Sequence, residues 1–176
     1  PPGAAGLTMV HALAAAPARM IHLPGASDDL RELAQRGVPH KYRKGRLLIE
    51  EGDQAYTMYI VLSGRLRAFS AHPVNGREIT YGTYGPGDYV GEMSLDGGPR
   101  SASVETLEDT VCAAVTRTTL EAFIAERPAF AFELLAKVIG SARRATLTAR
   151  QLALNDAYGN LKAWLEAESV LRADYV

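Results

Sequence analysis

The apolar positions change their period twice along the chain, dividing it into a helical start, a long run of short strands and a helical end. Ser27–Gly37 (SDDLRELAQRG) predicts a short helix. Ser27 is placed to cap it, acids follow in the first turn, and Gly37 closes it. From about 40 to 116 the apolar runs shorten and glycines punctuate them: Gly45, Gly52, Gly64, Gly76, Gly82, Gly85, Gly87, Gly91, Gly97 and Gly98. That grammar predicts an antiparallel sandwich or barrel. In Arg65–Ser70, Leu66, Ala68 and Ser70 share one face, with Arg65 and Arg67 on the other. The Asn75-Gly76 pair then predicts a tight hairpin turn returning through Glu78–Tyr81. Val111, Ala113 and Val115 alternate in the same way.

Helical spacing returns at Thr118, where Thr118 and Glu121 form a capping-box pattern ahead of Leu120, Phe123 and Ile124. Pro128 predicts the start of a second helix running to about Asp156. Its apolar or small positions Leu135, Ile139, Ala142, Thr146, Ala149 and Ala153 are spaced 4-3-4-3-4. This stripe packs either on the chain's own β domain or on a second copy. A helix of about 40 Å outruns a small β domain, which favours a homodimer seam.

Composition narrows the function classes. A chain of 176 residues, 47% apolar and 22% charged, can bury a core without disulfides or structural metal. The net charge of −1 gives no basic surface for a free-standing nucleic-acid binder. The one cysteine, Cys112, excludes an intrachain disulfide, a cysteine-rich zinc site and a four-cysteine iron–sulfur cluster. It reads as a small buried hydrophobe. His11, His22, His40 and His72 are scattered, so no metal site is expected. The Ala- and Pro-rich first 25 residues lack a basic start, and no run approaches a membrane span; no signal peptide, no membrane partner and a cytoplasmic location are expected. No GxxxxGK, GxGxxG or GxSxG motif and no recognisable carboxylate pair is present, so an enzyme is not expected.

The chemistry concentrates in Gly91–Val104 (GEMSLDGGPRSASV). A glycine opening a helical turn leaves backbone N–H groups pointing toward an anion. Arg100 offers a forked positive charge to two phosphate oxygens, and Ser101 a hydroxyl and an N–H. Glu92 suits a sugar hydroxyl better than a phosphate, with Arg100 nearby to keep it ionised. Gly97-Gly98 lets the intervening loop run close to a ligand. The residues alone leave two readings open: a pocket for one phosphate and an adjacent hydroxyl, or a surface loop with an ordinary Glu92–Arg100 salt bridge.

This segment resembles the phosphate-binding cassette of the cyclic-nucleotide-binding domain, in particular that of the bacterial Crp/Fnr transcription regulators. The likeness spans about residues 28–165 and includes, in order, Gly45–Asp53, Met58–Phe69, Asn75–Leu95, Pro99–Thr110 and Glu126–Leu135. It implies an α+β fold: an antiparallel β-roll (double-stranded β-helix or jelly roll) flanked by short helices, with a long C-terminal dimerisation helix. It divides the chain into a lead over 1–27, loose or partly helical, a β-roll over 28–127, a dimerisation helix over 128–156, and the start of a DNA-binding domain over 157–176.

The resemblance also implies roles. Gly91 and Glu92 would hold the ribose 2′-hydroxyl region of a cyclic nucleotide, cyclic AMP first among candidates, and Arg100 with Ser101 its cyclic phosphate; Met93 is a further ligand-binding residue. Hydroxyl residues on the dimer helix, Thr146 first and Thr148 second, would meet the base. No other cofactor is implied. Two departures bear on the ligand: Val90 stands where the family often has an aromatic residue, and the loop from Glu92 to Arg100 is about one residue short. Tyr158–Leu165 resembles the first helix of a winged helix-turn-helix, whose remainder is expected to be absent from this sequence; DNA, and RNA polymerase in the intact regulator, would be partners only through that domain. The alternatives are the same fold tuned to another small effector, with Cys112 against an iron–sulfur sensor, and a regulatory module of another signalling protein.

Overall fold

A computed structural model describes residues 23–154. The expectations for residues 1–22 and 155–176, including the start of the DNA-binding domain, lie outside the described residues. Helix α1 (Asp28–Arg36) leads into β1 (Val38–Tyr42), β2 (Leu47–Ile49), β3 (Met58–Ser63), β4 (Leu66–Ala71), β5 (Glu78–Tyr84) and β6 (Tyr89–Val90). A single 3₁₀ turn at Glu92–Ser94 precedes β7 (Ser103–Thr106) and β8 (Thr110–Val115), then α2 (Arg117–Glu126) and α3 (Ala129–Leu154). The strands form two four-stranded antiparallel sheets, ordered β1-β8-β3-β6 and β2-β7-β4-β5. The predicted α+β roll with a long terminal helix is the observed architecture.

Strands β3, β6 and β8 of the first sheet are covered on both faces, while β1 at its edge is exposed along most of its length. Met58, Ile60, Tyr89, Ala113 and Val115 pack with Leu30, Leu33, Leu120, Phe123, Phe130 and Leu134 of the three helices. Val61, Val90 and Cys112 instead join Ile49, Leu66, Ala68 and Val104 of the second sheet. Two-sided burial is why MYIVL and VCAAV read as nearly unbroken apolar runs. The predicted alternation of Val111, Ala113 and Val115 is therefore only half of β8: Cys112, between them, is fully buried on the other face. The second sheet meets solvent, and β5 is exposed along most of its length. On β4, Leu66 and Ala68 share the inner face, and Phe69 on the other face is buried too, with the Arg67 guanidinium 4.3 Å from its ring centre.

Three local expectations change. The hairpin after β4 is wider than a two-residue turn: the His72 N–H donates to Arg77 O at 2.8 Å and the Gly76 N–H to His72 O at 2.9 Å. Asn75 is not at positive φ; only Gly76 is, at 65°, so the turn with both central residues left-handed does not form. Helix α2 is capped by Thr116, whose hydroxyl accepts from Thr119 N at 3.2 Å, rather than by Thr118. Glu121 pairs instead with Arg117 at 2.7 Å. Gly37 does follow α1, yet in extended backbone (φ −77°). It is glycine because a Cβ there would sit 3.0 Å from both Ala113 Cβ and Val115 Cγ2, where α1 crosses β8. The lead also joins the fold before residue 28: Leu23 and Ala26 are buried in the helical core.

Phe123 and Phe130 meet edge to face at 5.2 Å, joining α2 to α3. Past Leu134 no residue of α3 through Arg150 is buried, so the helix extends away from the roll. Its predicted stripe does not pack on its own β domain: Leu135 and Ile139 are 53% and 48% exposed, and Ala142, Thr146 and Ala149 are exposed as well.

Burial pushes the Cys112 thiol up to about 12 from an ordinary 9.0. A thiol whose folded pKa is raised lends stability that is complete below the unfolded value and is lost as pH climbs toward the folded one. Denaturant melts should therefore show stability falling between pH 9 and about 12, less steeply in Cys112→Ala. Iodoacetamide at pH 8 should label Cys112 only after unfolding.

Candidate functional site

The turn leading into β6 is fixed by Asp88, whose carboxylate accepts from Gly85 N at 2.9 Å, while the Gly87 N–H donates to Val61 O at 3.0 Å. Strand β6 is only Tyr89–Val90, paired with Ile60 and Tyr59 at the sheet edge. Gly91 then adopts φ +89° and turns the chain into the 3₁₀ turn at Glu92–Ser94, closed by Leu95 N to Glu92 O at 3.1 Å. Asp96 Oδ1 accepts from Gly98 N at 2.8 Å, and Gly97 is left-handed at φ +97°, which brings the chain back within a short loop. At Arg100 the backbone is tied to the β2–β3 loop: Arg100 N donates to Asp53 O and Gly52 N to Arg100 O, both at 2.9 Å.

Arg100 is the centre of this arrangement. It is 5% exposed, and its guanidinium donates from Nη1 to Gly91 O at 2.9 Å and from Nη2 to Thr57 O at 2.6 Å. Burial lowers its pKa from the ordinary 12.5, opposed by the charges of Tyr59, Asp53 and Glu92. Arginine keeps its charge even so. Gly91 must be glycine twice over. Its φ is left-handed, and a Cβ would meet Arg100 Nη1 at 2.7 Å and Thr57 O at 2.9 Å. Ser101 is exposed beside Arg100, its hydroxyl donating to Met93 Sδ at 3.5 Å, and Met93 is half exposed.

Five of the seven predicted site residues, Gly91, Glu92, Met93, Arg100 and Ser101, are thus gathered in one cassette. The other two stand apart on α3, both exposed, with the Thr146 hydroxyl donating to Ala142 O of its own helix at 3.0 Å. The arrangement has a fixed cation beneath an αL glycine, a short turn beginning there and a carboxylate at the turn's first position. It can hold an anion at one end and a hydroxyl donor at the other.

Residue patterns found Gly91 but missed Thr57 and Asp53 as partners of Arg100. Thr57 acts through its backbone carbonyl, and Asp53 through its backbone and its charge, so side-chain spacing carries no signal for them. They also missed Lys137 on α3, which donates to Tyr89 O and lies 3.4 Å from the centre of the Tyr89 ring. Its place on the core-facing stripe of α3, after Phe130 and Leu134, was the available signal.

An eight-stranded roll carrying this cassette, with a long helix leaving one side, defines a small-molecule sensor module by its build. Comparison with known proteins gives the particular family. The model of the cyclic nucleotide-binding domain matches residues 39–127. The "Cyclic AMP receptor protein" of Thermus thermophilus is 38% identical over 117 residues, 66% of this chain and 54% of that protein. The "CRP-like cAMP-activated global transcriptional regulator" of Mycobacterium tuberculosis is 30% identical over 130 residues, 73% of this chain and 58% of that protein. The crystal structure of the Thermus thermophilus catabolite activator protein superposes with a TM-score of 0.66 at 34% identity, covering 74% of this chain and 61% of the other. The chain belongs to the cyclic nucleotide-binding domain family, in the form found in Crp/Fnr-type regulators. It spans a little over half the length of the curated relatives it matches.

The geometry sets the choice of variants. Gly91→Ala should destabilise the fold by about 1–3 kcal/mol through its backbone alone, and urea melts read this directly. Arg100→Ala leaves two backbone carbonyls without their charged donor and should cost about 2–4 kcal/mol. Arg100→Lys, which keeps the charge and loses the fork, should cost less in the same melts.

Proposed function

We propose that the chain is the ligand-sensing part of a Crp/Fnr-type transcription regulator and binds a cyclic nucleotide, cyclic AMP first among candidates, between the roll and α3. The observation that carries this is the buried Arg100 fork beneath Gly91, with Glu92 and Ser101 on either side. In this reading the cyclic phosphate lies against the Gly91–Met93 turn and Ser101. Arg100 is held in place by the Thr57 and Gly91 carbonyls, so its charge needs no reorganisation when ligand arrives. Glu92 accepts from the ribose 2′-hydroxyl. Thr146 first, and Thr148 second, meets the base from α3; the Thr146 hydroxyl is exposed and donates to Ala142 O of its own helix, a bond it would exchange for one to the base.

The exposed stripe on α3 favours a homodimer. Phe132, Leu135, Ile139 and Leu147 are between 48% and 75% exposed, and the helix is about 39 Å long. Pairing two such helices buries the stripe, and a base reached from both would make ligand affinity depend on how the helices are set. The relatives' names support a regulator that acts on DNA. That output, and RNA polymerase as a partner, would run through a C-terminal winged helix-turn-helix. No cofactor beyond the effector and no catalytic activity are assigned. Among the described residues no helix is long and apolar enough to cross a membrane and no cluster could hold a metal ion.

Titration calorimetry should give saturable heat with cyclic AMP, or with cyclic GMP if the short Glu92–Arg100 loop has shifted the preference. Arg100→Lys and Glu92→Gln should each weaken binding at least ten-fold, about 1.4 kcal/mol. Silence with both nucleotides sinks the ligand assignment. Light scattering should report a dimer that Leu135→Glu with Ile139→Glu converts to a folded monomer.

A further inference from the structure

Helix α3 docks on the roll through Phe130 and Leu134, which are buried. One turn further, on the same face, an apolar residue is expected, and Lys137 stands there. Its ammonium donates to Tyr89 O and sits 3.4 Å from the Tyr89 ring centre and 5.5 Å from that of Tyr84. Burial lowers the Lys137 pKa, the carboxylates of Glu92 and Asp88 raise it, and Arg144 lowers it further. Lys137 is therefore a desolvated cation that closes a path of a few residues. It grips the strand residue two positions before Gly91, and it feels the charge of Glu92, which opens the cassette's turn. Beside it, the buried Tyr89 hydroxyl has no hydrogen-bond partner among the described residues. A joint that buries a cation and leaves a hydroxyl orphaned is held less firmly than the apolar packing around Phe130, as an element with two arrangements requires.

We propose that Lys137 is the positioning residue that couples the cassette to α3, its hold on the Tyr89 carbonyl strengthening or relaxing with the engagement of Glu92. The inference rests on the reading of the cassette as a cyclic-nucleotide site. A ligand that occupies Glu92 and adds a phosphate changes the field that keeps Lys137 charged. The docking of α3 and the state of the cassette thereby acquire a shared term. Removing the ammonium while keeping the stem should leave the fold and the binding in place and break only the link. Because the ammonium is desolvated, Lys137→Met should melt at or above the native temperature, whereas a merely structural lysine would give a lower one.

The test is hydrogen–deuterium exchange on the full chain with and without cyclic AMP, beside calorimetry and thermal melts. In the native protein cyclic AMP should alter exchange in residues 89–101 and along 129–150. In Lys137→Met cyclic AMP should still bind within about ten-fold of native affinity and still protect 89–101, while the change along 129–150 disappears. Lys137→Arg, which keeps a cation at the site, should restore it. A native-like response of α3 in Lys137→Met overturns the proposal, and so does a lowered melting temperature or loss of fold in that variant. Native protein that takes up neither cyclic AMP nor cyclic GMP overturns the underlying ligand reading, and the proposal falls with it.

Discussion

Arg100 ties the cassette to the β2–β3 loop, whose Thr57 lies 43 residues away in sequence. Its backbone clasps Gly52 and Asp53, and its guanidinium closes on the carbonyls of Thr57 and Gly91. A charged group at 5% exposure survives only when its donors are used, and here protein carbonyls use them before any ligand is present. The cassette, the β2–β3 loop and the start of β3 are thereby fixed to one another. Stability and the proposed recognition meet in this side chain, so a variant that removes it tests both at once. Arg100→Lys separates the two better than truncation does.

The covering of β3, β6 and β8 on both faces sets what surrounds that centre. Inner-face residues Val61, Val90 and Cys112 hold the two sheets together, and outer-face residues Met58, Ile60 and Tyr89 hold the helices. Strand β6 contributes to both, with Val90 facing inward and Tyr89 outward, and Gly91 follows at once. The two residues before the cassette are therefore pinned on opposite sides of the sheet. Lys137 of α3 meets the outward-facing Tyr89, which sets the helix against the strand leading into the cassette.

Beyond Leu134 the helix has no core of its own to bury, and its exposed Leu135, Ile139 and Leu147 have an energetic reason to find a partner. The first third of α3 is bound to the roll, and the rest extends away from it.

Resemblance to a family carried the reading of the cassette from Gly91 to Ser101, whereas the sequence by itself determined a helical start, a run of short antiparallel strands and a helical end. Those features rest on local rules: turn glycines, capping residues, alternation and the spacing of a helical stripe. Ser27 caps α1 as its side chain demands, and the stripe on α3 is spaced as read. Tertiary structure decided the rest, because each remaining point depends on what a distant segment brings near. Gly37 is glycine for the approach of β8 and not for its own backbone angle. Phe69 is buried with Arg67 over its ring, and Cys112 by a second sheet that no local pattern announces. Arg100 looked like a charge held out for a ligand, and folding set it first beneath two carbonyls contributed from 9 and 43 residues away. Backbone oxygens carry no signature in a sequence, so the support of this site became legible only when the chain had closed on itself.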